Sequence, residues 1–176
     1  SNLSVVIPTL NAAAEIDALL HLIEEQTLKP REILVVDSSS DDDTAVEVAK
    51  PPEVEFLVLD RTDLNHGSTR AMALLRTSGD FVCFLTQDAV PASGFYLDRL
   101  VAPMLVDEGV ALVSGRQLPK ADARRFEQLV RSFNYPDTPS VRGREDLAEC
   151  SIKPFFASDV CSCYRRDAYL ECGGFD

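Results

Sequence analysis

Short apolar runs alternate with amphipathic stretches along most of the chain. Leu3–Pro8 is apolar at almost every position, and Glu32–Asp37 and Phe81–Thr86 repeat the pattern. Consecutive apolar positions are typical of parallel strands that are covered on both faces. These runs predict strands of one sheet, to which Val54–Asp60 and Val110–Gly115 add two more.

The stretches between these strands carry apolar residues at helical spacing. The first helix is expected to have Asn11 as its N-cap, and the second to begin at a cap formed by Ser40 or Asp41. Ser68–Thr77 and Phe95–Val106 are predicted as the third and fourth helices. The alternation predicts an α/β fold, with a Rossmann-like, mainly parallel sheet and helices on both faces.

The pattern is less regular in the last third of the chain. We predict a helix over Asp122–Ser132, a long loop over Asn134–Glu149, a strand over Val160–Tyr164, and a short helix over Arg166–Glu171 that stops before Gly173-Gly174. No internal repeat or low-complexity segment divides the sequence. A length of 176 residues suits a single domain.

The charge balance narrows the function. The chain has 29 acidic and 17 basic residues and a formal net charge of −12. A nucleic-acid-binding protein normally presents a basic face, so no nucleic-acid partner is expected. An acidic protein that binds a phosphorylated ligand needs local cations or a metal ion to offset its own field. Places where a cation can meet phosphates are therefore the first candidate sites.

A cytoplasmic location is expected, because no apolar run is long enough to span a bilayer and no signal peptide opens the chain. The five cysteines are scattered and odd in number, which favours a reducing compartment. Cys161 and Cys163 have no partner pair at zinc-like spacing and are expected to be buried thiols. Peripheral attachment to the inner face of the membrane is compatible with this chain, although nothing present in it is expected to encode an anchor.

Polar residues gather at the carboxyl ends of the predicted strands, where doubly wound sheets bind ligands. These ends are Pro8-Thr9, Asp37-Ser38, Asp60-Arg61 and Thr86-Gln87-Asp88. The turn after the first strand reads PTLNAAAEI, which is neither a dinucleotide-binding G-x-G-x-x-G nor a P-loop. It also lacks the glycine-rich basic loop of nucleotidyltransferases. Three common functions of α/β proteins are thereby disfavoured.

Two motifs at adjacent strand ends carry a family resemblance. Pro8-Thr9-Leu10-Asn11 is followed by Glu15 and by Gln26, and the second strand runs into V-V-D-S-S-S-D-D-D-T over residues 35–44. In register at neighbouring strand ends, the two motifs resemble the GT-A glycosyltransferases of the large inverting family two. The resemblance implies a GT-A fold and transfer of a sugar, with inversion, from a nucleoside-diphosphate sugar donor.

Further segments resemble the rhamnosyltransferase-type branch of that family. They are His66-Gly67-Ser68-Thr69-Arg70, Ser78-Gly79-Asp80, Thr86-Gln87-Asp88-Ala89, Tyr164-Arg165-Arg166 and Gly173-Gly174-Phe175-Asp176. In this branch T-Q-D-A replaces the usual acidic D-x-D metal motif. The likeness covers essentially the whole chain. It implies rhamnose as the first candidate sugar and a growing polysaccharide or lipid-linked glycan as acceptor.

The resemblance also implies roles for single residues. Thr9 and Asp37 would contact the base and ribose, Arg70 the base or the diphosphate, and Asp88 would hold Mg²⁺ or Mn²⁺ against the diphosphate oxygens. Because Asp88 is the one carboxylate left in the motif, we expect metal and nucleotide to bind together. The expected donor contacts are Pro8, Thr9, Asn11, Glu15, Asp37, Ser39, Arg70 and Gln87.

Some of these residues also have simpler explanations. Asp41-Asp42-Asp43 favours the positive end of the following helix, and Asp37 alone is a common strand-end turn residue. His66 is either a loop residue or a phosphate or sugar contact, and Arg165-Arg166 is either a solvated turn or a contact to an anionic acceptor. Arg70 lies near a helix start, which disfavours a cation unless an anion is nearby, so we expect a ligand there.

No catalytic residue is assigned from the sequence. Inversion needs a general base, and in the resembled family this carboxylate follows the G-G-F-D segment. We therefore expect residues 1–176 to be one GT-A domain that lacks the base and much of the acceptor site. The alternative is a non-catalytic nucleotide-sugar-binding or regulatory module.

Overall fold

Six strands form one sheet in the computed structural model, which describes residues 2–51, 53–61, 65–120, 122–150 and 157–174. The strand order is β3-β2-β1-β4-β6-β5. The bounds are β1 Leu3–Thr9, β2 Glu32–Asp37, β3 Val54–Val58, β4 Phe81–Leu85, β5 Leu112–Ser114 and β6 Cys161–Arg165.

Seven α-helices and a 3-10 turn accompany the sheet in the described residues. None of these helices combines the length and the apolar character needed to cross a membrane. Their bounds are α1 Ile16–Glu24, α2 Thr44–Val48, α3 His66–Arg76, α4 Tyr96–Val106, α5 Arg125–Asn134, α6 Leu147–Cys150 and α7 Arg166–Glu171, with the 3-10 turn at Arg144–Asp146.

The sheet is mixed but mainly parallel. Strands β1 to β4 are parallel, whereas β6 runs antiparallel to both of its neighbours, β4 and β5. Residues of α1, α2 and α4 pack on one face of the sheet, and residues of α3 and α7 pack on the other. The predicted α/β fold with helices on both faces is confirmed. The register sets Thr9 beside Asp37, so the last residues of β1 and β2 are neighbours.

The predicted caps of the first two helices are wrong. Asn11 lies five residues before α1, has a φ of 51°, and accepts a hydrogen bond from the backbone of Asp41 through its side chain. The residue that precedes α2 is Asp43, so neither Ser40 nor Asp41 caps that helix. These side chains instead bond between loops that are about 30 residues apart in sequence, which local propensity does not reveal.

The last third of the chain differs from its prediction in one stretch. The predicted fifth helix is present as α5, but Arg144–Asp146 and Leu147–Cys150 are helical where a continuous loop was expected. The backbone N–H of Gly143 donates to Asp146 Oδ2 at 2.7 Å and so stabilises this turn. Phe175 and Asp176, the end of the G-G-F-D segment, lie outside the described residues.

Hydrogen bonds around Ser4 and Glu32 close the amino-terminal edge of the sheet. Ser4 Oγ donates to Glu32 Oε1 at 2.6 Å and accepts from the backbone N–H of Gly79 at 2.9 Å. Glu32 Oε1 also accepts from the backbone N–H of Ser78 at 2.6 Å. These bonds join β1, β2 and the turn before β4. The Ser78-Gly79-Asp80 segment therefore has a structural role.

Gly79→Ala tests the tight contact in this turn. An added Cβ would lie 2.5 Å from Ser4 Oγ and 2.8 Å from the carbonyl oxygen of Asn2, so the backbone must move. We expect the free energy of unfolding to fall by about 1–3 kcal/mol, measured by urea denaturation. The control is Gly94→Ala, whose Cβ would meet nothing closer than 3.5 Å. Equal losses in the two variants would contradict this account.

The charge of Glu32 should make stability depend on pH. Burial raises the pKa of Glu32, but hydrogen bonds from Ser4, Ser78 and Gly79 outweigh it and lower the pKa below its usual value. A carboxylate with a lowered folded-state pKa stabilises the protein above its unfolded pKa of about 4.3, and this contribution is lost as the pH falls. Glu32→Gln should therefore cost about 1–2 kcal/mol at neutral pH and progressively less below pH ~4. A pH-independent cost would rule out the charged form as its source, and exposed Glu108→Gln serves as control.

Candidate active site

Two buried side chains meet where β1 and β2 end. Thr9 Oγ1 donates a hydrogen bond to Asp37 Oδ1 at 2.9 Å, and each residue is 3% exposed. The parallel register makes this contact, because the carboxyl ends of neighbouring strands lie at the same edge. The two strand ends singled out in the sequence therefore do converge.

Ser40 completes the hydrogen bonding of the Asp37 carboxylate. Its backbone N–H donates to Asp37 Oδ2 at 2.8 Å, and its hydroxyl donates to Oδ1 at 2.5 Å. The Ser40 hydroxyl also accepts from the backbone N–H of Asn11 at 2.8 Å. With the bond from Thr9, three donors of the chain itself hold this carboxylate. Ser40 was expected only as a helix cap, and its bonds to Asp37 were not predicted, although it belongs to the V-V-D-S-S-S-D-D-D-T motif of residues 35–44.

The loop after β2 is bonded to the loop after β1 at three further points. Asn11 Oδ1 accepts from the backbone N–H of Asp41 at 2.9 Å, Thr44 Oγ1 accepts from that of Ala12 at 2.8 Å, and Asp42 Oδ2 accepts from that of Ala13 at 3.0 Å. Hydrogen bonds from Thr44 and Ala13 lower the pKa of the exposed Asp42 carboxyl, with Thr44 as the main cause. Asp41 and Asp42 therefore join the two loops, in addition to preceding helix α2.

Two residues beside the Thr9–Asp37 pair have a left-handed backbone. Asn11 has a φ of 51° and Ser39 a φ of 55°, a conformation that is uncommon for residues other than glycine. The Ser39 hydroxyl donates to the carbonyl oxygen of Leu59 at 2.7 Å, and its own carbonyl accepts from Arg61 at 2.8 Å. Such strain is commonly found at ligand-binding sites.

Gln87 ties the end of β4 to the end of β1. Its Oε1 accepts from the backbone N–H of Leu10 at 2.9 Å, and its Nε2 donates to the carbonyl oxygen of the same residue at 3.3 Å. These bonds fix the residue before Asp88 against the residue after Thr9. The Asp88 side chain is exposed, and no described residue donates a hydrogen bond to it or pairs with it.

The protein alone does not build a complete metal site in the described residues. They contain no cluster of three or more histidine, cysteine or carboxylate side chains suited to a metal ion. Asp88 therefore fits a divalent cation only where other oxygens, such as those of a diphosphate, supply the remaining ligands. Joint binding of metal and nucleotide stays a prediction.

Pro8 and Glu15 are less closely tied to this group of residues. Pro8 lies within β1, one residue before Thr9, and pairs with Val36. Glu15 is exposed, immediately precedes α1, and has no side-chain bond to the start of that helix. Among the described residues, no hydrogen bond or ion pair links Glu15 to Thr9 or Asp37. Its role as a donor contact stays a prediction.

Arg70 is buried in α3, where it faces a carboxylate of the same chain. Its Nε lies 3.5 Å from Asp159 Oδ2, and its Nη1 donates to the carbonyl oxygen of His66 at 3.1 Å. Asp159 Oδ1 also accepts from the Tyr164 hydroxyl at 2.9 Å, and burial, followed by this carboxylate, raises the pKa of Tyr164. Asp159 thus supplies an anion near Arg70, while Arg70 Nε, although buried, has no hydrogen-bond partner among the described residues, and the role of Arg70 as a donor contact stays a prediction. Nothing in the sequence singled out Asp159, which lies 89 residues further along.

Local contacts bear on three other open interpretations. His66 is the exposed first residue of α3, whose N-cap is Asn65, and a contact of His66 to phosphate or sugar stays a prediction. Arg166 donates to the carbonyl oxygens of Gly79 and Leu74, and Arg165 donates to that of Val110 at 3.2 Å. The arginine pair therefore braces the fold. Cys83, Cys161 and Cys163 are free, buried thiols, as expected.

Comparison with known proteins fits this geometry. The sequence profile described as glycosyl transferase family 2 matches residues 4–173. The chain belongs to this family. Among curated family 2 relatives, the O-antigen chain rhamnosyltransferase RfbN of Salmonella typhimurium is 35% identical over 174 residues, which cover 98% of this chain and 55% of that protein. A glucosyl-3-phosphoglycerate synthase of Mycobacterium tuberculosis is 32% identical over 117 residues, or 63% of this chain and 36% of that one.

Solved structures share the GT-A fold with this family 2 chain. The mannosyltransferase PcManGT from Pyrobaculum calidifontis, in complex with GDP-Man and Mn²⁺, matches with a TM-score of 0.67 at 22% identity, over 99% of this chain and 47% of that one. Glucosyl-3-phosphoglycerate synthase from Mycobacterium tuberculosis, in complex with Mn²⁺, UDP-Glc and phosphoglyceric acid, matches with a TM-score of 0.60 at 24% identity, over 94% and 57%. The expected fold and family are both confirmed. The chain spans about half the length of the rhamnosyltransferases it matches.

Thr9→Val tests the bond that joins the two strand ends. Valine keeps the side-chain shape but removes one of three donors to a buried carboxylate, so the free energy of unfolding should fall by about 1.5–3 kcal/mol in urea denaturation. Thr138→Val is the matched control, because that exposed hydroxyl donates to Asp137 at 3.4 Å in a loop. The control should change stability by less than about 0.5 kcal/mol. A similar loss in both variants would show that the Thr9 bond is not special.

Proposed function

We propose that the carboxyl ends of β1, β2 and β4 bind a nucleoside-diphosphate sugar, and that the protein transfers this sugar with inversion to a glycan or lipid-linked acceptor. The observation that supports the proposal is the buried Thr9–Asp37 pair, together with the bonds of Gln87, the residue before Asp88, to Leu10, the residue after Thr9. Membership of glycosyl transferase family 2 agrees with it. Residues 1–176 are proposed to form one donor-binding domain, and the general base is left unassigned.

Asp37 is proposed to bind the base or ribose with the acceptor capacity that it has left. An ionised carboxylate offers about four acceptor positions, and three are filled by Thr9 and Ser40. The remaining position suits an N–H or O–H of the nucleoside. Because its own bonds already fix the carboxylate, little conformational entropy is lost when the donor binds.

Asp88 is proposed to hold Mg²⁺ or Mn²⁺ together with the diphosphate of the donor. Its side chain is exposed and has no partner among the described residues, so it is available for a cation. A bound divalent ion would stabilise the negative charge that develops on the departing nucleoside diphosphate. The two structural neighbours described above were both solved with Mn²⁺.

Rhamnose is proposed as the transferred sugar and an O-antigen-type glycan as the acceptor. Two curated relatives that cover 98% of this chain at 35% identity are named O-antigen chain rhamnosyltransferases. The Thr86-Gln87-Asp88-Ala89 segment, in place of a more acidic motif, resembles the same branch. Other relatives are named for glucose transfer, so glucose is the competing donor sugar.

Calorimetric titration with dTDP-rhamnose, UDP-glucose and GDP-mannose, with and without Mn²⁺, tests this proposal. We expect dTDP-rhamnose to bind at least about tenfold more tightly with Mn²⁺, a difference of ~1.4 kcal/mol. Asp88→Asn should remove at least about tenfold of the Mn²⁺-dependent affinity, since even the outer-shell partners of a metal contribute that much. Thermal unfolding of both proteins checks that the fold is retained.

Glu108→Gln is the matched control, because it removes an exposed carboxylate of the same charge from the turn after α4. It should leave donor binding unchanged. Failure of all three donors to bind in the presence of Mn²⁺ would refute the proposal. Donor binding without sugar transfer in the longer protein would instead favour the non-catalytic module.

A further inference from the structure

Helix α5 presents an apolar stripe to solvent. Leu129 and Val130 lie three and four residues after Phe126, and Phe133 lies four and three residues after them, so the four side chains share one side of the helix. The two phenylalanine side chains are 78% and 81% exposed, and none of the ten residues of α5 is buried. A stripe of this kind normally faces a core. Here it faces outward.

Contacts on the other side of α5 set this orientation. Arg131, which lies across the helix from the apolar stripe, hydrogen-bonds Gln117 in the segment after β5. The carbonyl oxygen of Tyr135, just after the helix, accepts from Arg116 Nε at 3.1 Å. These bonds attach Arg131, on the polar side of the helix, and Tyr135, just after the helix, to the segment that follows β5. The apolar side is therefore the one that points away from it.

The charge around α5 differs from that of the whole chain. Residues 116–135 contain five basic and two acidic side chains, a net charge of +3 in a chain of −12. Arg124 and Arg125 stand at the amino-terminal end of the helix, where the helix dipole disfavours cations. An anionic surface would relieve this repulsion and attract the flanking charges. The basic residues are Arg116, Lys120, Arg124, Arg125 and Arg131.

We propose that α5 binds the surface of an anionic phospholipid bilayer, lying in the headgroup layer with Phe126, Leu129 and Phe133 inserted. A helix with aromatic and aliphatic residues on one side, a polar opposite side that carries basic residues and a low overall hydrophobicity is the type that lies in a membrane interface. The sequence predicts a helix here but not that its apolar side is exposed, and so no membrane-binding segment was expected. The inference goes beyond sugar transfer and is independent of the donor site.

Co-sedimentation with lipid vesicles tests the proposal on the 176-residue chain. We expect binding to phosphatidylcholine vesicles that contain roughly 30% phosphatidylglycerol, and at least about tenfold weaker binding to pure phosphatidylcholine. Raising the salt from about 50 mM to about 500 mM should weaken binding to the anionic vesicles, because the Debye length shortens. Equal binding to both kinds of vesicle, or none to either, would overturn the proposal.

Two double variants separate the apolar and the electrostatic contributions. Phe126→Ser with Phe133→Ser, and Arg124→Gln with Arg125→Gln, should each lower the affinity for anionic vesicles at least about tenfold. The control is Leu75→Ser with Val106→Ser, which removes two apolar side chains that are 67% and 89% exposed on other helices. This control should bind as the parent does. Circular dichroism and thermal unfolding check that every variant is folded.

Two further outcomes would overturn the proposal in favour of another occupant. If the parent sediments as a dimer, binds no vesicles, and becomes monomeric with Phe126→Ser and Phe133→Ser, then the stripe pairs with a second copy of the chain. If the phenylalanine variants bind anionic vesicles as tightly as the parent, then another part of the acidic chain carries the interaction. Analytical ultracentrifugation measures the first outcome and the vesicle assay the second.

Discussion

The candidate site is organised by one buried carboxylate, that of Asp37, whose charge must be stabilised by hydrogen bonds. Asp37 ends β2 with 3% of its surface exposed, and an unpaired charge in such a position is strongly unfavourable. The adjacent strand supplies Thr9, and the following loop supplies two donors from Ser40. The path of that loop is therefore set by the carboxylate. A parallel register that moved Thr9 by one residue would lose the first of these donors and turn the side chain to the other face.

The loops beyond the strand ends are held by the same network. Ser40 accepts a hydrogen bond from the backbone of Asn11, whose side chain accepts one from the backbone of Asp41. Asn11 and Ser39, two residues beyond the ends of β1 and β2, both have left-handed backbones, an uncommon conformation that the surrounding structure must maintain. The hydrogen bonds between the two loops restrict them beside the position where a ligand is proposed. Such restriction suits a site that must hold a nucleotide in one orientation.

The sequence predicts the strands and their polar ends well, because buried parallel strands are apolar at nearly every position and ligand-binding residues follow them directly. It does not predict the partners of those residues. The bond between Asn11 and Asp41 spans 30 positions, and the ion pair of Arg70 with Asp159 spans 89, so neither leaves a local pattern. The helix caps failed for the same reason, since a side chain suited to capping is equally suited to bonding a neighbouring loop. The exposure of the apolar side of α5 likewise leaves no local pattern, because it depends on which surfaces the rest of the fold covers.

The contacts of two arginines near the carboxyl ends of the strands support a metal ion in the proposed function. Arg61 pairs with Asp41, and Arg70 faces Asp159. In the part of the chain that the structure describes, both side chains thus face a carboxylate of the chain itself, and the net charge of −12 disfavours the approach of a diphosphate. The proposed Mg²⁺ or Mn²⁺ would offset the charge of that diphosphate. Asp88, exposed and without a partner among the described residues, is placed to retain such a cation once phosphate oxygens complete its coordination. In the proposed complex a motif with a single carboxylate would suffice, because the donor itself would supply the other ligands.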